Sequence, residues 1–319
     1  MDIVLFPYLD RLQIRYEQHV PLPYKTWIKT GGICAYWITP DSVQQLKEVC
    51  SYLYQNNIQF DLVGQTSNIF FHSTYNPQVI VSTMNVNHYI INGDILTCDC
   101  GVNVVKLAKD CLSMGYAGFY GLVGLPGTVA SATVNNAGCF NCSISSMLVC
   151  AEVLFPDGAV KSVTKEDFCY TKRSSVFKRK EINGIILSVK IKLQRSENIE
   201  EEKKKAEETK EYRKKYQEGY KSNLGSVFAA KKQRRNVRNI IAIVIAKVLN
   251  ILHIAQFSFI KKRILLSLYC YKDLNKYISD KNINTFVWRD EYAEQAFIRY
   301  KQFMSKVYKD LEIEIEERI

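Results

Sequence analysis

Between Gly118 and Gly138 the chain carries five glycines, one proline and a run of Ala, Ser and Thr, leaving almost no side-chain bulk. A backbone this bare can lie directly against a ligand, and its free N–H groups can face phosphate oxygens. Leu125-Pro126-Gly127-Thr128 reads as a turn, with Pro126 fixing φ and Gly127 supplying a conformation that other residues avoid. The small residues of Val129–Val134 suit a tightly packed helix or strand. The stretch is neither a G-x-G-x-x-G after a strand nor a G-x-x-x-x-G-K-[ST] loop, which excludes the two commonest phosphate motifs. Taken alone, such a cluster is more often a connection between core elements.

Around it the pattern alternates short strands and short helices. Pro21–Gly32 leads into an apolar strand, Ile33–Ile38. Asp41 or Ser42 can cap a helix running to about Gln55, with Leu46, Val49 and Leu53 on one face. Leu62-Val-Gly-Gln-Thr-Ser-Asn-Ile69 is a strand, a turn and a re-entry. Tyr89–Cys100 reads as a hairpin around Asn92-Gly93-Asp94, and Val104–Met114 as a helix. Leu154–Val160 is a hairpin whose Asp157-Gly158 suits a type I′ turn, and Ile185–Leu193 is a further strand. From Ser196 to about Gln217 a Glu-first, Lys-later helix suits the helix dipole and reads as a solvated connector. This mixture argues for α+β subdomains rather than a doubly wound sheet.

Gly124-Leu-Pro-Gly-Thr-Val129 followed by Asn136-Ala137-Gly138 resembles the G-I-P-G-T-V…N-A-G block of UDP-N-acetylenolpyruvoylglucosamine reductases. Those are flavoenzymes of peptidoglycan precursor synthesis, built on the FAD-binding fold shared with vanillyl-alcohol oxidase. Thr26–Gly32 and Leu62–Ile69 resemble the family's T-[FW]-x-[IV]-G-G and L-G-x-G-S-N-[LI]-L blocks, in the family's order, with Thr66 in place of a glycine. The resemblance implies FAD held by Gly64, Thr66, Ser67 and Asn68 together with Gly124, Pro126, Gly127, Thr128, Asn136, Ala137 and Gly138. A diphosphate needs close N–H donors more than side chains, and the composition fits that need.

The same resemblance nominates residues for chemistry. Tyr170-Thr-Lys-Arg-Ser-Ser-Val-Phe177 is similar to the family's F-x-Y-R-x-S-x-F, which places Arg173 on its catalytic arginine. A guanidinium there would hold a substrate carboxylate in a bidentate pair; the plainer reading is a surface arginine beside Lys178, Arg179 and Lys180. Asn223-Leu-Gly-Ser-Val-Phe228 is similar to S-A-G-S-x-F-K-N-P, which places Ser226 on the serine that protonates the substrate carbon. Ala229-Ala230-Lys231 replaces Lys-Asn-Pro. Leu311–Ile319 resembles F-G-I-x-L-E-x-E-V. In the ungapped register the family's glutamate falls on Arg318, and a shift of two residues puts Glu316 there. As plain structure, the segment reads as an alternating edge strand with Ile313 and Ile315 inward.

The 319 residues can bury a sizeable core and predict two or three domains. We expect FAD-binding subdomains over 1–84 and 85–195, a helical connector over 196–222 and a substrate domain over 223–319. The ten cysteines lack the spacing of a small disulfide scaffold and point to a reducing compartment. Cys98-Asp-Cys100 and Cys139-Phe-Asn-Cys142, with His19, His72, His88 and His253, do not make the well-spaced pairs zinc requires, so no metal is expected. Asp2, Asp10 and Arg11 interrupt the N-terminal apolar run, which does not make a signal peptide, and a cytoplasmic location is expected.

The net charge is +11, and Gly219–Lys272 holds no acidic residue. Ile240–Ile260 is apolar but broken by Lys247, Asn250, His253 and Gln256, which argues against a transmembrane span. It reads as a core helix of the substrate domain whose basic ends face anionic ligands, with an amphipathic membrane-surface helix as the less favoured alternative. No nucleic-acid module accompanies the charge.

The reading as a whole is an α+β flavoprotein. It would use FAD and NAD(P)H to reduce UDP-N-acetylglucosamine enolpyruvate to UDP-N-acetylmuramate. The alternatives are a diverged oxidoreductase on another nucleotide-sugar and a flavin-binding protein without turnover.

Overall fold

The computed structural model describes residues 2–219, 222–252 and 256–319, which form two compact units. His253 and Lys221 lie outside the described residues. The first unit comprises residues 1–24, 33–66 and 76–210; the second comprises 25–32, 67–75 and 211–319.

In the first unit, β1 (Arg15–Pro21), β2 (Ile33–Thr39), β3 (Asp61–Val63) and β5 (Val79–Ser82) make a sheet in the order β1-β2-β5-β3. The intervening β4 (Ile69–Phe71) belongs to the second unit. β1 runs antiparallel to β2, and the other pairs are parallel. The N-terminal helix α1 (Asp2–Arg11) and α2 (Val43–Gln55) bury Leu5, Leu9, Leu46, Val49 and Leu53 against this sheet. Ser42 caps α2, its hydroxyl accepting from Gln45 N at 3.1 Å. Asp41 instead takes the Arg15 guanidinium, which lowers its carboxyl below the ordinary value.

β6 (Tyr89–Asn92) and β7 (Ile95–Asp99) form the expected hairpin, with Gly93 at φ 62°. After α3 (Val104–Ser113), the glycine-rich stretch and α4 (Val129–Val134), a two-residue ladder pairs β8 (Gly138–Cys139) with β9 (Cys142–Ser143). A single turn, α5 (Ile144–Met147), precedes β10 (Leu148–Leu154), β11 (Val160–Thr164) and β12 (Ile185–Lys192). The second sheet, β11-β10-β12-β7-β6, is antiparallel throughout. A register shift opposite Glu152 and Val153 falls between Ile186 and Ser188 of β12 and breaks its alternation. Ile185 and Leu187 therefore enter the first sheet's core, while Ile186, Val189 and Ile191 enter the second's. The two sheets thus share one strand between two cores. The charged segment is α6 (Ile199–Tyr216), with Glu200–Glu202 in its first turn and Arg213–Lys215 in its last.

The second unit is built on aromatic packing. Strand β13 (Phe228–Gln233), helices α7 (Val237–Ile251), α8 (Phe257–Leu268) and α9 (Ala293–Val307), and strands β14 (Tyr308–Ile313) and β15 (Glu316–Arg318) complete it. Phe286 lies 4.7 Å from Trp288, 5.1 Å from Phe297 and 5.3 Å from Tyr300 between ring centroids. Helix α9 turns Phe297, Tyr300, Phe303, Met304 and Val307 into this cluster.

Two expectations are corrected here. The apolar run after Ile240 is not one core helix: α7 ends at Ile251, α8 begins at Phe257, and α7 buries only Asn239, Ala242 and Ala246. The C-terminal segment is not one alternating strand either. β14 pairs with β13, the chain leaves it after Ile313, and β15 pairs in parallel with β4. Ile315 is buried, but Ile313 is exposed.

Candidate active site

In the first unit the glycine-rich stretch closes on β3's exit. Gln65 Oε1 accepts from Gly127 N at 2.7 Å and from Asn103 Nδ2 at 3.5 Å. Val104 N donates to Gly127 O at 3.1 Å, and Val129 N to Val102 O at 2.8 Å. Gly127 sits at φ 130°, which a residue with a Cβ rarely adopts. A Cβ on Gly64 would stand 2.8 Å from Thr128 Oγ1 and 2.9 Å from its Cγ2, so only glycine lets these two segments meet. The hydrogen-bonded turn falls three residues earlier than expected, from Leu125 N to Leu122 O at 3.0 Å, with Gly124 at φ 90° and Pro126 following it.

Thr128 is buried and caps α4 reciprocally with Ser131: its Oγ1 accepts from Ser131 N, and Ser131 Oγ accepts from Thr128 N. At the other end of α4, Ala137 N donates to Ala132 O at 2.8 Å, and Asn136 turns into the left-handed region at φ 45°. Gly138 pairs with Ser143 in the β8–β9 ladder.

Arg173 is tied to this same segment. Thr171 and Ser174 exchange backbone hydrogen bonds at 3.0 and 3.2 Å, which places Lys172 and Arg173 at the tip of a tight turn with Arg173 at φ 59°. Asn136 Nδ2 donates to Thr171 O at 2.8 Å, and buried Ser175 donates to Val134 O at 2.6 Å. The turn that carries Arg173 is thus anchored at both ends to the C-terminus of α4. Beside it, Tyr170 stacks on Phe168 at 5.1 Å. Its buried hydroxyl has no hydrogen-bond partner among the described residues, and burial pushes its pKa up.

The Gly64–Asn68 block divides between the units: Gly64, Gln65 and Thr66 belong to the first, Ser67 and Asn68 to the second. Thr66 is buried at φ 55°, so this threonine keeps a left-handed backbone where the resemblance places a glycine.

In the second unit Asn68 joins the other nominated residues. Glu316 N donates to Asn68 O at 2.8 Å, Asn68 Nδ2 to Glu314 O at 3.2 Å, and Glu314 N to Val227 O at 2.8 Å. Ser226 is half-buried just before Val227, in a loop held by Asn284: Val227 N donates to Asn284 O and Phe228 N to Asn284 Oδ1. Gly225, at φ 72°, is locked by its N–H to Asn223 Oδ1 at 3.0 Å. Glu316 and Arg318, two apart on β15, share a face and pair at 3.1 Å. Both residues that the two registers offered therefore stand side by side.

Glu317, on the opposite face, accepts from Lys301 at 2.9 Å and meets His72 Nε2 at 3.2 Å. His72 Nδ1 meets Glu294 at 3.0 Å. This cluster straps the β4–β15 ladder to α9.

Residue-by-residue reading missed Gln65 and His72. Gln65 stood at the variable position of the quoted block, and its signal was only its place between two turn residues. His72 lay just past the block, and its partners are more than 200 residues away.

Cys139 and Cys142 face each other across the β8–β9 ladder, while the other cysteine pair separates. Cys98 and Cys100 are buried in different cores, and burial pushes Cys100 up to about 12. Cys139 donates to Gly121 O at 2.7 Å. No cluster of His, Cys, Asp and Glu among the described residues could hold a metal ion.

The close approach at Gly64 and the left-handed, side-chain-free backbone at Gly127 let a ligand lie directly against the chain, and the residues present fit FAD.

Comparison with known proteins supports this. An FAD binding domain model matches residues 34–164. The UDP-N-acetylenolpyruvoylglucosamine reductase of Halalkalibacterium halodurans is 31% identical over 206 residues, covering 64% of this chain and 67% of that protein. The enzyme of the same name from Bacillus subtilis is 28% identical over 209 residues, covering 65% and 68%. The crystal structure of UDP-N-acetylenolpyruvylglucosamine reductase from Thermus caldophilus superposes with a TM-score of 0.67 at 20% identity, over 96% of this chain and all of that one, which shows the shared fold. Fold and relatives agree, and the chain belongs to the UDP-N-acetylenolpyruvoylglucosamine reductase family.

Proposed function

We propose that this chain reduces UDP-N-acetylglucosamine enolpyruvate to UDP-N-acetylmuramate with NAD(P)H, a step of peptidoglycan precursor synthesis. The observation that carries the reading is the cradle of Gly64, Gln65, Gly127 and Thr128, in a chain whose named relatives are reductases of that substrate. When bound, FAD supplies the two-electron carrier that couples oxidation of the nicotinamide to reduction of the enolpyruvyl double bond.

The protein's own tasks are to hold the cofactor, orient the substrate and deliver one proton. The backbone of Gly124–Thr128, bare of side-chain bulk, would lie directly against the diphosphate, and the Gly64–Asn68 block would complete its holding. Arg173, on its anchored turn, would hold the substrate carboxylate in a bidentate pair and stabilise negative charge that develops beside it. The Ser226 hydroxyl would donate the proton to the substrate carbon, in a loop fixed by Asn284 and the Glu314 N–H. Glu316 would support that donation through its charge, with Arg318 paired to it. Ten free thiols suit a reducing compartment, and we assign the reaction to the cytoplasm.

Rapid-mixing absorbance tests the assignment. In Ser226→Ala, bleaching of the flavin by NADPH should stay near the wild-type rate. Substrate-dependent return of the yellow colour should slow by roughly 10²–10⁴, the usual scale for losing a general acid. A wild-type protein whose bleached flavin ignores the enolpyruvyl substrate would sink the peptidoglycan reading. Unchanged turnover in Ser226→Ala would move the proton donor elsewhere.

A further inference from the structure

Helix α7 presents its apolar side outward. Val237, Ile240, Ile241, Val244, Ile245, Val248, Ile251 and Leu252 are each between 40% and 72% exposed, while its buried residues are Asn239, Ala242 and Ala246. At 3.6 residues per turn these eight aliphatic side chains fill one arc of about 140°, and the three buried residues lie on the opposite side. An aliphatic stripe at helical spacing ordinarily faces a core; this one faces away from it. Arg238 falls at one margin of the stripe and Lys247 at the other, with Arg234 and Arg235 just before the helix and Lys261 and Arg263 on α8.

The chain's basic excess is concentrated in this region. The span Gly219–Lys272 holds 11 basic residues and no acidic one, and the remaining 32 basic residues equal the 32 acidic residues of the whole chain. All of the net charge of +11 therefore lies in the segment that carries the exposed stripe. An apolar face with cations at its margins is complementary to a surface that is apolar beneath and anionic above. A second copy of this chain is a poorer match, because a two-fold contact through α7 would set Arg235, Arg238 and Lys247 against their own copies with no acid between them. The helix cannot cross a bilayer: 15 residues span about 22 Å, against about 30 Å of hydrocarbon. No helix among the described residues is long and apolar enough to do so.

We propose that α7 docks in the plane of an anionic lipid surface, its aliphatic stripe at the headgroup–acyl boundary and its flanking cations on lipid phosphates. The assignment is independent of the reductase reading.

Co-sedimentation of the full chain tests it, using phosphatidylcholine vesicles with roughly a third phosphatidylglycerol against phosphatidylcholine alone. The anionic vesicles should be bound at least tenfold more tightly, and added salt should weaken binding. The variant Ile241→Ser/Val244→Ser/Val248→Ser alters only exposed positions. It should keep the wild-type circular dichroism and flavin content and lose at least tenfold in vesicle affinity. Arg235→Glu/Lys247→Glu should lose a similar factor. Wild-type protein left in the supernatant, or the triple-Ser variant binding like wild type, overturns the proposal. So does a dimer in sedimentation velocity that the triple-Ser variant dissociates, since the second copy would then be the occupant of the stripe.

Discussion

Gln65 shows how one side chain can complete a site that glycines only make possible. Its amide oxygen takes the Gly127 N–H at 2.7 Å and so fixes the turn proposed to meet the diphosphate. In Gln65→Leu that N–H loses its acceptor, which should cost about 1–3 kcal/mol of stability and reduce flavin retention; Gln65→Glu keeps an acceptor and should preserve the stability, while its negative charge beside the diphosphate still lowers flavin retention. Gly127→Leu should lose the flavin outright, because φ 130° is strained for leucine. The ratio of flavin to protein absorbance after purification measures all three, and full flavin content in Gly127→Leu would contradict the cradle. Thr66 marks the limit of reading by motif. A threonine in place of glycine suggests a changed backbone, yet the backbone stays left-handed at φ 55°, at a cost on the order of 1–2 kcal/mol.

At the scale of elements, local signals placed α2 and both hairpins well, but the second hairpin's turn is not type I′: it closes from Gly158 N to Phe155 O around Pro156-Asp157, and only Gly158 takes a positive φ. A capping serine and an Asn-Gly or Asp-Gly turn act within a few residues of the structure they create. They could not place the helices after Ile240. The apolar spacing of α7 is that of a core helix, and only its packing shows that Ala242 and Ala246 face inward. In α8, Lys262 looks in the sequence like one more solvated cation, but it is 1% exposed. Its ammonium pairs with Asp280 and donates to Ile278 O at 3.0 Å and Asn275 O at 3.3 Å, while burial lowers its pKa. Lys262→Met keeps the volume and removes the donors, so it should destabilise the protein by about 2–3 kcal/mol. Urea unfolding would read this as a lower midpoint at unchanged slope; an unshifted midpoint would mean these contacts contribute nothing.

At the scale of the whole molecule, burial rather than pairing governs the ten thiols. Cys169 and Cys270 are exposed, Cys139 and Cys150 half-buried, and the other six buried. Burial raises Cys34 to about 11 and Cys100 and Cys111 to about 12, so they carry almost no thiolate at neutral pH. Titration of the native protein with 5,5′-dithiobis(2-nitrobenzoate) should show two fast thiols, both absent from Cys169→Ser/Cys270→Ser, and ten after unfolding; fast labelling of six or more would contradict the packing. The sequence by itself determined the α+β class, the order of the glycine-bearing blocks and the concentration of the basic excess in Gly219–Lys272. Each of these is carried by composition or by neighbours a few residues apart. Tertiary structure alone decided that Gln65 meets Gly127, that Asn68 lies beside Glu316, and that the α7 stripe faces outward. Those contacts join residues 62 and 248 positions apart, or depend on which helix face the rest of a core leaves uncovered. No local propensity or spacing encodes either.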